Sequence, residues 1–229
     1  MESLPADVLE ALRKFNSPTV SNAIEAFKAR PRQEGFMRPE IRCVFPEMGV
    51  MVGYAATLKI RAARPAAAGE ALPPRVHWQK VLEVPAPRVV VVEDLDDPPG
   101  VGSYWGEVNA NVHRALGCVG VVTNGGVRDL DEVAPLRFHF FASHISVSHA
   151  NAHIVEAGTP VRVGGLTVEP GDVLHADRHG VVKIPRDLAA RIPEGAEEVV
   201  TIERRIIDYC QSSGFTLDGL DDVWRHMHV

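Results

Sequence analysis

The hydrophobic positions along the chain switch between two periods. Residues 6 to 13, "ADVLEALR", set Val8, Leu9 and Leu12 at helical spacing, and Ser17-Pro18-Thr19 offers a stop and a new N-cap for a second helix through "VSNAIEAFKA". A polar connection marked by Pro and Gly runs from Arg30 to Pro39. In "GVMVGYAATLKIRA", Val50, Val52 and alternating small or β-branched residues predict a strand. "PAAAGEALPP" predicts a loop or a weak helix start, since its prolines interrupt any longer element. "RVVVVEDLDD" is an unbroken apolar run closed by acids, and a run without alternation predicts a strand buried on both faces.

After "PPGVGSYWG" the helical period returns in "EVNANVHRALG", with Val108, Val112, Ala115 and Leu116 on one face and Gly117 as its stop. "CVGVVT" predicts the next strand and "NGGVRD" a turn. "FHFFAS", "HISVSH" and "PVRVGGLTVEPGDVLHADRHGVVKIP" read as short strands, with turns at Gly164-Gly165 and Pro170-Gly171, and Arg186 to Val229 reads as helix. Buried strands alternating with helices, followed by a mostly β stretch, predict an α/β fold with more than one sheet and helices packed on them. A length of 229 residues fits one domain over 1-229.

Composition narrows the function classes. A net charge of -6 without any Lys/Arg block argues against nucleic acid or an anionic membrane as partner. The three cysteines, Cys43, Cys118 and Cys210, form no C-x-x-C pair, so reduced and mostly buried thiols are expected. The N-terminus is acidic and lacks an apolar core run, and no stretch reaches membrane-spanning length; the expectation is a soluble cytoplasmic protein.

Chemistry-bearing residues gather in the middle. Strand–helix–strand connectivity brings the start of the helix at Glu107 and the end of the next strand, before Arg128-Asp129, to one edge of a sheet. Gly102 and Gly106 let the preceding loop approach a ligand, and free amides at the helix start, around Val108 and Asn109, form a natural carboxylate site. Arg128 offers a fork of donors for a carboxylate or developing enolate charge, and Asp129 a hard oxygen for Mg²⁺. Two readings of these residues stand: a site for a small 2-oxo acid, or an ordinary capped helix start with a surface ion pair.

Glu107, the twenty residues "VNANVHRALGCVGVVTNGGV" and then Arg128-Asp129 reproduce a spacing that resembles the family of the regulator of ribonuclease E activity A and the related class II pyruvate aldolases. "SPTVSNAIEAF", "GYAATLK" and "PVRVGGLTVEPGDVLHADRHGVVKIP" extend the similarity over roughly 17 to 185. The resemblance implies a three-layer β/β/α fold like that of swivelling phosphohistidine domains, assembled as a homotrimer or homohexamer with sites at subunit interfaces. It further implies that Asp129 binds Mg²⁺ or Mn²⁺, Arg128 contacts the pyruvyl oxygens, the amides of Val108 and Asn109 hold the carboxylate, and Glu107 acts through metal-bound water. The implied reaction is aldol cleavage of a 4-hydroxy-4-methyl-2-oxoglutarate-type acid or decarboxylation of oxaloacetate, giving pyruvate. The family also holds non-catalytic regulators that bind a ribonuclease or helicase, the alternative of a different class. The chain departs from the family at Asn124, often Asp, and at Glu107, more often the shorter acid in the aldolases.

Other signals are weaker. His144, His149 and His153 lie in a strand-like stretch without a cysteine or carboxylate cluster and read as structural or interface histidines. Asp177 and His179 read as hairpin-shaping, and Glu25, Glu34 and Glu203 as candidate interface acids for a neighbour's site, although such residues are mostly just solvated. Acids and prolines separate "VVVV" from the following glycines, so no G-x-G-x-x-G nucleotide loop forms there.

Overall fold

A computed structural model describes residues 3–225. Helices α1 (Ala6–Leu12) and α2 (Ser17–Ala26) lead into β1 (Arg42–Cys43) and β2 (Met51–Arg61). Then follow α3 (Pro74–Leu82), β3 (Arg88–Asp94), α4 (Glu107–Ala115), β4 (Cys118–Val127), α5 (Leu130–Val133), β5 (His139–Ile145) and β6 (His153–Ala157). The hairpins β7 (Val161–Val163)/β8 (Leu166–Val168) and β9 (Val173–Asp177)/β10 (Gly180–Ile184) precede α6 (Ile192–Gln211) and α7 (Leu217–Arg225). The expected tail helix is thus two helices, and its last four residues lie outside the described ones.

The main sheet runs β1-β5-β4-β3-β2-β9-β10. Strands β2, β3, β4 and β5 are parallel neighbours. The long β2 divides its other edge between two antiparallel partners, β9 along Met51–Tyr54 and β6 along Leu58–Arg61. Both faces of this sheet are covered, which is the physical reason for the uninterrupted valines. Val90 and Val92 join Leu12, Ile24, Tyr54 and Phe140 in a core shared with the helices. Val89 and Val91 point the other way, into a second core with Val161, Val163, Leu166 and Val168 of the β7–β8 hairpin. Helices, sheet and hairpin make the mixed β/β/α arrangement expected.

Several local expectations need correction. Asn16, not Ser17, caps α2, its Oδ1 accepting the Thr19 amide at 2.9 Å. Of the two readings of "PAAAGEALPP", loop or weak helix start, the second holds at its end, where α3 begins at Pro74, since proline suits a helix's first turn. Most of "HISVSH" lies in a loop after β5. Cys118 is buried and Cys43 half-buried, but Cys210 is exposed on α6. Among the described residues no helix is long and apolar enough to cross a membrane.

Candidate functional site

The site is assembled where β3 and β4 end. At the end of β3 the carboxylate of Asp94 is buried and accepts the amides of Asp96 at 3.0 Å and Gly100 at 2.7 Å, fixing the loop that leads to α4. Burial pushes that carboxyl above its ordinary pKa. The loop then lies along β4: Trp105 bridges Val127 in parallel, its carbonyl accepts the Arg128 amide at 3.0 Å, and the buried Ser103 hydroxyl donates to the carbonyls of Trp105 at 2.6 Å and Gly126 at 2.9 Å.

The stretch "NGGV" is strand, not turn. Strand β4 continues to Val127, and its pairing with β5 shifts register between Thr123 and Gly126. The Asn124 side chain replaces ladder bonds there: its Oδ1 accepts the Asp94 amide at 2.8 Å and its Nδ2 donates to the Asp94 carbonyl at 3.0 Å. Ser143 Oγ completes the bulge by donating to the carbonyls of Asn124 at 2.7 Å and Gly125 at 2.9 Å. The chain turns only at Asp129, whose φ of 58° and ψ of 46° are left-handed, a region Asp tolerates better than most residues.

That turn brings three of the expected residues together. Asp129 Oδ2 accepts the backbone amide of Glu107 at 2.9 Å, and Arg128 Nε lies 3.7 Å from the same oxygen. A Cβ on Gly106 would fall into that carboxylate, so glycine permits the carboxylate's position by close approach rather than by backbone angle. The α4 N-terminus is thereby partly filled by the protein's own carboxylate, an arrangement the sequence reading did not foresee. The amides of Val108 and Asn109 have no protein acceptor among the described residues and remain available to a ligand. Glu107 and Val108 are exposed, and Val108 is 74% accessible, so the helix start faces solvent.

The donor set fits a hard, hydrated cation. Asp129 provides a carboxylate whose Oδ1 has no hydrogen-bond partner among the described residues, and the exposed Glu107 adjoins it through its backbone amide. Mg²⁺ or Mn²⁺ retaining most of its waters needs one or two such groups. No group of three or more His, Cys, Asp or Glu able to hold an ion occurs among the described residues, so the set does not resemble a closed zinc cage.

Behind the site lies a pair of histidines that the sequence reading passed over. The fully buried residues of α4 are Ala110 and His113; of the expected face, Leu116 packs against the core and Val112 is half-buried, while Val108 and Ala115 are exposed. His113 Nδ1 bonds the Asn109 carbonyl at 2.7 Å, its Nε2 lies 2.9 Å from Nε2 of His77 on α3, and its ring packs 4.5 Å from Trp105. Burial lowers His77 to about 3, with the His113 charge adding to it, and lowers His113 to about 4. His113 was detectable as a histidine on the α4 stripe four residues from Asn109.

The three histidines expected to be structural each bond a backbone carbonyl. His144 bonds Ser143 Oγ at 2.7 Å and the Gly100 carbonyl at 2.9 Å, His149 the Ala150 carbonyl at 2.8 Å, and His153 the Asn151 carbonyl at 2.7 Å. Asp177 does more than shape its hairpin: besides accepting the His179 amide at 2.8 Å, it accepts that of Ser17 at 2.8 Å and so ties α2 to β9. Glu25 pairs with Arg32 at 3.3 Å, and Glu203 accepts from Asn22 at 3.1 Å.

Comparison with known proteins places this geometry in context. A profile described as RraA-like, Aldolase/RraA, matches residues 17–183. The Methanocaldococcus jannaschii protein MJ0644 is 27% identical over 145 residues, 60% of this chain and 70% of that protein. A protein of Ectopseudomonas mendocina, provisionally named a 4-hydroxy-4-methyl-2-oxoglutarate aldolase, is 33% identical over 108 residues, 44% of this chain and 62% of the relative. A crystal structure of a Pseudomonas syringae pv. tomato protein superposes with a TM-score of 0.74 at 25% identity, covering 96% of this chain and 95% of the other.

Proposed function

The chain belongs to the RraA-like family, and from that premise we propose that it is a divalent-metal-dependent carbon–carbon lyase, acting on a 4-hydroxy-2-oxo acid of the 4-hydroxy-4-methyl-2-oxoglutarate type or on oxaloacetate and releasing pyruvate. The observation that carries this reading is the convergence of Glu107, Arg128 and Asp129, with the Glu107 amide 2.9 Å from Asp129 Oδ2. A helix start needs a cap, but it does not need an arginine and a second exposed acid beside that cap.

The roles follow from the chemistry of the groups. Asp129 would hold Mg²⁺ or Mn²⁺, and the ion when bound supplies Lewis acidity to the 2-oxo acid. Arg128 orients the substrate through its carboxylate and 2-oxo oxygens, where its fork also complements charge developing as the carbon–carbon bond breaks. The Val108 and Asn109 amides bind the carboxylate at the positive end of α4. Glu107, acting through water, takes the proton of the 4-hydroxyl during aldol cleavage and returns one to the methyl carbon of pyruvate. Its extra methylene relative to Asp suits it to a water-mediated transfer. The apolar residues Val101, Val108, Ile145 and Val147 are exposed near this end of the sheet, and a homotrimer or homohexamer covering them would exclude water from the site.

A coupled pyruvate assay with oxaloacetate and with 4-hydroxy-4-methyl-2-oxoglutarate tests the reading. Turnover is expected with Mg²⁺ or Mn²⁺, and its loss is expected with chelator and in Asp129→Ala. Absence of metal-dependent turnover on either acid, or full activity in Asp129→Ala, overturns it and leaves the non-catalytic regulator.

A further inference from the structure

A cleft of about 450 Å³ opens on the hairpin side of the molecule and shares no lining residue with Glu107, Arg128 and Asp129. Arg30, Arg38 and Lys183 line it, with Glu34 as the acid among them. Its walls are ordered by backbone bonds. The Lys183 amide donates to the Gly35 carbonyl at 2.8 Å, the Met37 amide to Val181 at 2.9 Å, and the Arg38 amide to Gly164 at 2.9 Å. Segment 35–38 is thereby stitched to both β10 and the β7–β8 turn.

Two glycines make room for the guanidinium groups. A Cβ on Gly35 would fall on the Arg30 guanidinium, and one on Gly165 would stand 2.9 Å from Arg38 Nε. Both glycines have positive φ, 89° and 77°, so a side chain is disfavoured on two counts. Arg30 Nη1 donates to the Lys183 carbonyl at 2.6 Å, which fixes one edge of its fork. Lys183 Nζ is held by Asp172 at 3.0 Å and by the Thr167 carbonyl at 3.0 Å. Neither Arg30 nor Arg38 has a carboxylate within ion-pair distance among the described residues. Burial also depresses the Arg30 guanidinium, against the opposing pull of the Glu34 and Glu25 carboxylates.

We infer that this cleft binds a small multivalent oxyanion bearing two or more carboxylate or phosphate groups, gripped between Arg30 and Arg38. Two arginines on a rigid backbone match such a ligand, because each fork can donate two parallel bonds to one oxyanion group and little ordering entropy remains to be lost. Lys183, already paired with Asp172, adds field rather than a direct contact, and Glu34 opposes binding.

The test is calorimetric titration of the full chain with citrate and with pyrophosphate in low-salt buffer, repeated in Arg38→Gln, Arg30→Gln, Glu34→Gln, Asp129→Ala and the exposed control Arg75→Gln. Saturable binding of at least one anion is expected, and which of the two binds separates a carboxylate from a phosphate ligand. Affinity is expected to fall about tenfold or more in Arg38→Gln and Arg30→Gln, to rise in Glu34→Gln, and to stay unchanged in Asp129→Ala and Arg75→Gln. Because Arg38 is exposed, its variant folds even where Arg30→Gln does not. No saturable binding of either anion, or equal binding in Arg38→Gln, overturns the inference. Loss of binding in Asp129→Ala also overturns it, by assigning the anion to the α4 site, and failure of the lyase assay leaves this result untouched.

Discussion

Two residues in and behind the site are fixed by contacts that substitutions can isolate. Gly106 has extended backbone angles, φ -157° and ψ -161°, which alanine adopts without strain, yet its Cβ would collide with the Asp129 carboxylate. Gly106→Ala is therefore expected to leave the unfolding midpoint near that of the unmodified protein while lowering kcat/KM about 100-fold, since misplacing a reacting group by an ångström has that effect. Asn124 presents the opposite case. Its amide both donates to and accepts from the Asp94 backbone, and a carboxylate can only accept. Asn124→Asp should lower stability by about 1–3 kcal/mol in denaturant titration, by leaving the Asp94 carbonyl unpaired and facing it with a charge. Asn124, one of the two residues by which this chain departs from the family pattern, is thus part of a strand bulge, not a group in contact with Arg128 or Asp129.

At the level of elements, α4 is the part on which the site depends. Its first turn carries the available amides, and its far side is pinned by His113 to His77 on α3 and by ring contact to Trp105. The carbonyl of Trp105 in turn accepts the Arg128 amide, so the histidine pair, α4 and the Arg-Asp turn are one packed unit. Replacing His113 with alanine empties a fully buried position and strips His77 and the Asn109 carbonyl of a partner. The expected cost is about 2–4 kcal/mol, measured by chemical unfolding. The spacing from Glu107 to Arg128 was legible because it is counted along a strand and a helix of ordinary length. The histidine pair was not, because α3 lies thirty-odd residues away and its proline-marked start left open whether a helix begins there.

Over the whole molecule, buried histidines set the response to acid. His77 is lowered to about 3, His113 and His139 to about 4, and His175 is lowered as well, in each case chiefly by burial, with Arg137 and other charges adding at His139. In the unfolded chain these imidazoles titrate near 6.5. Between that value and their folded values the unfolded state binds more protons, so stability falls as pH drops from about 6.5 toward 4. Each histidine contributes a slope of up to about 1.4 kcal/mol per pH unit in that window. Unfolding free energies measured from pH 7.5 to 4.5 should show this decline, and it should be shallower in a folded His77 or His113 variant. A flat profile would mean that these rings are solvated.

Sequence alone determined what depends on neighbours along the chain: the two-faced β3, the turns at Gly164-Gly165 and Pro170-Gly171, and the α4 stop at Gly117, whose φ is 76°. It also determined that an acid and an Arg-Asp pair stand on either side of one helix and strand. Tertiary structure decided the rest. That "NGGV" is bulged strand depends on Asp94 and Ser143 from neighbouring strands, which supply the bonds a glycine pair cannot specify by itself. That Asp129 caps α4, and that Arg30 and Arg38 flank one cleft, depends on where loops cross. Periodicity encodes which face of an element is buried; it carries no record of which distant backbone atom lies within 3 Å of a given side chain.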